Sequence, residues 1–464
     1  MPDGKYKYCE YGITRRNETR VITYVVLVSG TPRIGAPVRR PAVTGIELSS
    51  SGRPLRRPSS GRLQAARRPA PHGASFRVFF LAGALQAVLV IGLWGAAFPL
   101  LAGIDPPLAP AAWHAHELLF GYVPAVQAGF LLTAIPHWTG RRPVGGGALA
   151  ALLALWIAGR LAAAGLLGLS PLGVALLAIA FTGVLAGLVT VEIIAARSVD
   201  NAPAVLSLIV LAVAEILFHA DLAAGHEGAT ATRLALAGVT AQMMLLGGRI
   251  VPAFTRDYLA ETGRAPLPPS LRWLDGGAVG LGLAALVVWL ALPPARPLVP
   301  ASGAVLLAAG GLLLVRQARW APSRTRSEPL VWVLHLGAAM TPLGLLMAGA
   351  GALTAETELT AAAVHVWAVG GIGLMTLALM TRVSLGHTGR PLRAGSGSAA
   401  IYLALAVAAV ARAGSILAPQ WTLPLLPLAG VAWIAAYAGF LVLYGPMLLR
   451  PAVAAERAAH SPPR

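Results

Sequence analysis

A chain of 464 residues with 56% hydrophobic and only 12% charged side chains lies outside the composition of soluble domains. Its net charge of +18 would suit a nucleic-acid partner, but the basic residues are scattered over loops between apolar runs, which argues against nucleic acid and for an anionic lipid surface. The single cysteine, Cys9, excludes a disulfide framework and a thiolate metal cage, leaving histidine, methionine and carboxylate for any metal chemistry.

Residues 1–74 come first, rich in Arg, Pro, Ser and Gly ("SSSGRPLRRPSSGRLQAARRPAP"), with no apolar run long enough to span or pack. They read as a disordered basic extension. No short apolar core with a small-residue cleavage site follows the first basic residues, so a secretory signal is not indicated, whereas an over-extended reading-frame start would give the same pattern.

From residue 75 to 450 the chain changes character. A spanning helix needs roughly 20 apolar residues, and about twelve segments qualify, starting near Phe76, Trp113, Gly146, Pro171, Pro203, Ala231, Asp275, Leu298, Pro329, Thr360, Ser398 and Trp421. The expected fold is all-α and polytopic, with residues 451–464 as a cytoplasmic tail. Alternate loops carry arginine: Arg141 and Arg142, Arg197, Arg256 with Arg264 and Arg272, Arg316 to Arg326, Arg390 with Arg393, and Arg450 with Arg457. The intervening loops are poor in arginine and often acidic, as in "GHEG" and "TAETELT". The asymmetry places both termini in the cytoplasm.

At about 1.5 Å per helical residue, the histidines fall into two layers. His114 and His116 open the second helix, His219 lies near the outer end of the fifth, and His365 lies about one turn into the tenth, so these four share the outer third of the bilayer. His137, His335 and His387 belong to the inner side, His226 to an outer loop, and His72 and His460 to solvated tails. A lone histidine in a spanning helix is most often an interhelical hydrogen-bonding residue. Four at one depth on three helices point instead to a site in the bundle core, where neutral imidazole suits haem iron, copper or zinc.

The second and tenth helices also share a spacing. His116 and His365 are each followed five residues later by glycine, Gly121 and Gly370, and twenty-three residues later by "TGR", at Thr139 and Thr388. Matching depth makes His116 and His365 the expected axial pair of one haem, with His114 and His219 as alternative ligands. Residues two apart on a helix point about 200° away from each other, so His114 and His116 serve two centres, or one of them hydrogen-bonds. Glu215, four residues before His219, and Glu117, three after His114, are placed to orient metal-bound imidazoles. Arg160 and Arg412 lie in the same layer, facing haem propionates or these carboxylates. On the inner side, His335 and His387 could bind copper with Met375 or Met380, though methionines at helical spacing are commonly packing residues.

In plan this is similar to the large subunit of haem-copper oxidases, with twelve helices in three groups of four and a pseudo-threefold arrangement. The copper-site histidines of such an oxidase are missing: the sixth helix offers Gln242, Met243 and Met244, and the seventh has no histidine. Oxygen reduction by that mechanism is therefore not expected.

Four motifs in order, "WHAHELLFGYVPAVQAGFLLTAIPHWTGR", "GGRIVPAFTRDYL", "WVLHLG" and "HVWAVGGIGLMTLALMTRVSLGHTGRPL", resemble the NnrS family over roughly residues 75–450. The resemblance implies a bacterial inner-membrane protein containing haem and copper, associated with nitric oxide metabolism and resistance to nitrosative stress and often linked to denitrification. It carries over His114, His116, His219, His335, His365 and His387 as motif histidines. Family members usually show Asn where His137 stands, which makes His137 a poor candidate ligand. The implied partners are the bilayer, nitric oxide or a nitrosyl species, and an unidentified electron donor, with Glu215 and Gln127 as proton-path candidates. The alternative is a transporter of metal, haem or nitrosyl-iron species, which Gly-rich helices with Pro124, Pro136, Pro252 and Pro342 would also suit. No nucleophile elbow, phosphate loop or zinc-protease motif supports covalent catalysis.

Overall fold

The computed structural model describes residues 8–15, 18–25, 75–97, 108–291 and 300–450. The chain divides into two units, Met1–Ala70 and Pro71–Arg464. In the first, β1 (Tyr8–Arg15) pairs antiparallel with β2 (Glu18–Val25), in a register that sets Tyr8 opposite Val25 and Arg15 opposite Glu18. The remainder of the expected disordered extension, and the expected tail at 451–464, lie outside the described residues.

The described part of the second unit is helical, and twelve of its helices are long and apolar enough to cross a membrane. They are α1 (Ser75–Gly95), α2 (Pro110–Thr139), α3 (Gly146–Ala163), α4 (Pro171–Ala195), α5 (Ala202–Ala223) and α6 (Ala229–Glu261). There follow α7 (Arg272–Ala291), α8 (Ala301–Ala318), α9 (Pro329–Thr354), α10 (Thr357–His387), α11 (Ser396–Leu417) and α12 (Pro419–Leu449). Several boundaries are written locally. Ser170 accepts from Gly173 N–H ahead of Pro171, and Glu328 accepts from Leu330 N–H ahead of Pro329, each an N-cap followed by proline in the first turn. At the other end of α2, Gly140 takes the left-handed conformation at φ 70°, which closes the helix before Arg141.

Burial identifies the centre of the bundle. In α2, 83% of the most apolar window is buried, and in α10 it is 67%, whereas α1, α3, α4, α5, α7, α8, α11 and α12 bury only 33–39% and turn the rest outward. Leu172, Leu176, Val191, Ile194, Leu423 and Leu449 are among the exposed apolar side chains, as expected where lipid replaces water as the solvent. α12 packs back against α1, and Trp433 Nε1 donates to the Ala87 carbonyl at 2.9 Å to tie the two together.

Three long helices meet at this centre: α2, α6 and α10 contact one another pairwise. Each contains a π-helical stretch, Glu117–Tyr122 in α2, Met243–Gly247 in α6 and Val366–Gly373 in α10. The residue just before each stretch is His116, Gln242 and His365, respectively. Polar contacts stitch the three helices together: Gln127 Nε2 donates to Gln242 Oε1 at 2.6 Å, and Tyr122 Oη lies 2.6 Å from both Thr376 Oγ1 and Tyr437 Oη. One proline gap is filled by a neighbour. Pro342 has no N–H for the Ala338 carbonyl one turn earlier, and Gln317 Nε2 of α8 supplies the missing donor at 3.0 Å.

Candidate metal centre

The π stretch of α2 decides how its polar residues are aimed. Consecutive residues of an α-helix point about 100° apart, yet His116 and Glu117 are both essentially fully buried, on a chain that widens between them. Glu117 Oε1 lies 3.0 Å from His116 Nδ1, and the same carboxylate accepts from Arg160 NH1 at 2.7 Å and from Gln86 Nε2 at 2.5 Å. A carboxylate held by a guanidinium only accepts, so the His116 proton is assigned to Nδ1 and the Nε2 lone pair is left to face inward. This is the carboxylate–histidine arrangement that orients metal-bound imidazole.

α5 supplies the opposing groups. Glu215 and His219, four residues apart, project from one helical face and meet His116: Nε2 of His219 is 3.2 Å from Nε2 of His116, and Glu215 Oε1 is 3.7 Å from the same atom. One ligand atom from each of the three residues lies within 4.8 Å of the other two. Both oxygens of Glu215 are buried without a hydrogen-bond partner among the described residues, a costly state for a polar group in a dry core. Phe120 and Phe218, with ring centres 5.4 and 5.3 Å from that of His116, complete an apolar wall.

The donor set tests which metal group fits. With metal–nitrogen bonds of about 2.0–2.1 Å, two nitrogens 3.2 Å apart subtend roughly 100° at a shared ion, close to tetrahedral. A porphyrin between axial imidazoles requires the two nitrogens on opposite sides of the iron, about 4 Å apart at similar bond lengths. The group therefore fits a bare ion bound by two imidazoles and a carboxylate, and does not fit a haem held between His116 and His219.

The remaining outer histidines have contacts of their own. His114 stacks on Trp94, with ring centres 4.8 Å apart and an interplanar angle of 27°, and its Nδ1 is buried without a hydrogen-bond partner. His365 of α10 and Arg412 of α11 lie within electrostatic range of His114, and Arg412 within that of His365. His365 Nδ1 lies 3.0 Å from the Ala361 carbonyl, which can only accept, so its Nε2 lone pair is free to bind a metal. The hydrogen-bonding and ring contacts of His116 outside its own helix thus run to α5, and through Glu117 to α1 and α3, whereas His365 is hydrogen-bonded to Ala361 within α10 and lies within electrostatic range of His114 and Arg412.

On the inner side the expected pair also has separate neighbours. His335 Nε2 lies 2.9 Å from Thr255 Oγ1, whose own proton goes to the Val251 carbonyl, so His335 donates to it. His387 packs against Phe76 and His137, each with ring centres 5.5 Å away. Met375 and Met380 are buried in the main apolar core, and Met375 packs on Gly337 and Gly247. Gln127 is engaged with Gln242 rather than with Glu215. Gln86 is the functional neighbour that the sequence reading missed, although it is the one polar side chain within the apolar run of α1 from Phe79 to Trp94.

The fold and this site together define a multi-pass helical membrane protein with a buried histidine–carboxylate cluster of metal-binding type. The chain belongs to the NnrS family: the family profile described as NnrS protein matches residues 72–452, which take in every described helix and all the site histidines. No curated protein matches the chain.

Proposed function

We propose that this is a haem- and copper-containing protein of the bacterial inner membrane, acting in nitric oxide metabolism or in resistance to nitrosative stress, with both termini cytoplasmic. Family membership supports the biological setting. The observation that carries the chemistry is the convergence of His116, His219 and the unpartnered Glu215 carboxylate on one buried point. We assign the copper there, since imidazole and carboxylate ligands suit it, with Glu117, Gln86 and Arg160 holding His116 in its binding tautomer. The haem is assigned to His114 and His365, where Arg412 supplies a cation for a propionate. A bound haem would supply an iron able to take nitric oxide or an electron; the chain's residues orient it and exclude water.

Burial favours a resident ion over transported cargo. His116 and Glu215 are each 0% exposed, and His116 is locked by a three-donor network around Glu117. The test is copper analysis and a pyridine haemochrome on the detergent-purified protein, expressed with ample haem and copper. Expected are copper and haem in the wild type, copper lost with haem retained in His219→Ala and Glu215→Gln, and haem lost with copper retained in His114→Ala and His365→Ala. Loss of a single haem species in both His116→Ala and His365→Ala would restore the axial pair expected from sequence. A well-folded wild type without either group would overturn the proposal in favour of a transporter.

A further inference from the structure

α1 and α3 leave a groove of about 250 Å³ between them, walled by Ala82, Leu85 and Leu89 on one side and Leu153, Ile157 and Leu161 on the other. Leu85, Leu89 and Ile157 are each more than 40% exposed, so the mouth opens on the surface that lipid covers. Its floor is polar. Gln86 and Arg160 line it, both more than nine-tenths buried, and both are hydrogen-bonded to Glu117. Arg160 commits only NH1 to that carboxylate; its Nε and NH2 are buried and have no acceptor among the described residues.

The chemistry of a ligand follows from what is missing. The Arg160 charge is already answered by Glu117 at 2.7 Å, so an additional anion would leave uncompensated negative charge in a low-dielectric site. What the two unpartnered nitrogens lack is a neutral acceptor, such as a carbonyl oxygen. A cavity of about 150 Å³ already accommodates a benzene ring, so this groove has room for a substituted six-membered ring, with apolar walls to guide an aliphatic tail into the bilayer. A neutral ring carbonyl on a long apolar tail describes a membrane quinone.

We propose that the groove between α1 and α3 binds a prenyl quinone, with Arg160 turning its buried Nε and NH2 toward the groove to donate to a ring carbonyl and the tail leaving past Leu85, Leu89 and Ile157. The inference rests on reading the His116 group as a redox metal centre. Glu117 joins the two sites, since one carboxylate contacts both Arg160 and the His116 imidazole. The quinone would thus reach a carboxylate that touches a metal ligand, which a purely structural lipid has no need to do.

The probe is a photoreactive azidoquinone added to the full-length protein in lipid nanodiscs, with cross-links mapped by mass spectrometry. Saturable labelling confined to α1 and α3 is expected. It should fall at least tenfold in Leu89→Trp, which fills the groove, and in Arg160→Lys, which keeps the charge opposite Glu117 but removes the planar fork. Leu172→Trp, on the lipid-facing surface of α4, should label as the wild type does. Labelling should persist in His219→Ala, which lacks the proposed copper, so failure of the metal reading and failure of the quinone site are separately visible. Labelling outside α1 and α3, labelling unaffected by Leu89→Trp, or displacement by phospholipid as readily as by unlabelled quinone would overturn the proposal, the last by assigning the groove to a lipid ester carbonyl.

Discussion

Glu117 is the residue on which the outer site turns. It takes hydrogen bonds from an imidazole, a guanidinium and an amide, which come from its own helix, α3 and α1. Replacing it by Gln keeps the shape and one acceptor oxygen but removes the negative charge and the second acceptor, so His116 is held less firmly and Arg160 is left as an unanswered buried charge. Partners of this kind typically contribute 10–100-fold in metal affinity. Glu117→Gln should therefore weaken copper binding by roughly that factor in a chelator competition, with a lowered melting temperature as well. Gly121 extends the argument without touching a ligand. A Cβ built there lies 2.6 Å from Arg160 NH1, so Gly121→Ala must push the guanidinium off Glu117. Its copper affinity should drop in the same direction, and combining it with Glu117→Gln should add little, because both act through one bridge. An additive double variant would show that Arg160 does not position His116. At this scale the sequence was legible in kind: depth along the helices picked out His114, His116, His219, His365, Glu215, Glu117, Arg160 and Arg412 as one layer. It was not legible in partnership. Which imidazole meets which depends on the azimuth of each side chain, and apolar runs around a buried helix carry no phase.

That missing azimuth belongs to the element scale, and the π stretches are its physical cause. An extra residue per turn rotates everything on one side of the stretch relative to the other and opens a carbonyl to a new partner. Nothing in the composition of "ELLFGY" or "VWAVGGIG" marks this, since wider turns are stabilised by the contacts they permit rather than by local propensity. By contrast, the twelve helix starts read from hydropathy coincide with the spans found to within a few residues, because membrane length and polar exclusion dictate them. π stretches recur in α2, α6 and α10, which are mutually in contact, and a further one, Leu93–Ala97, ends α1. The stretch in α2 yields a direct test. Deleting Leu118 should return Glu117–Tyr122 to α-helical winding, and five steps of about 100° then turn His116 relative to Tyr122 by nearly the angle that six steps of the wider π turn give. With Tyr122 still bonded to Thr376 and Tyr437, His116 should keep its bearing on His219. Expected is a folded protein that elutes as the wild type does and retains copper; loss of copper would show that the site depends on the π winding itself.

At the scale of the whole molecule, the question is which way the bundle faces. Twelve spans return the chain to the side it started from, and α1 and α12 meet: Arg77, near the start of α1, donates to the Met447 and Leu448 carbonyls at the end of α12, at 3.1 and 2.9 Å. Both ends of the bundle therefore share one side, and the loops on that side are the ones that carry Arg141, Arg197, Arg256, Arg319 and Arg390. An arginine-rich loop is retained in the cytoplasm because moving it against the membrane potential and through hydrocarbon is costly. In the proposed orientation the outer histidine group would face the periplasmic half, where a small uncharged ligand would reach it without entering the cell. The orientation is measurable with single cysteines. In a Cys9→Ser background, Glu227→Cys in the α5–α6 loop should react with a membrane-impermeant maleimide in intact spheroplasts. Arg142→Cys in the α2–α3 loop should react only after permeabilisation, and both positions are exposed enough for the reagent to reach. The reverse pattern would put the metal group on the cytoplasmic side, and nitric oxide produced inside the cell would then be its nearer source.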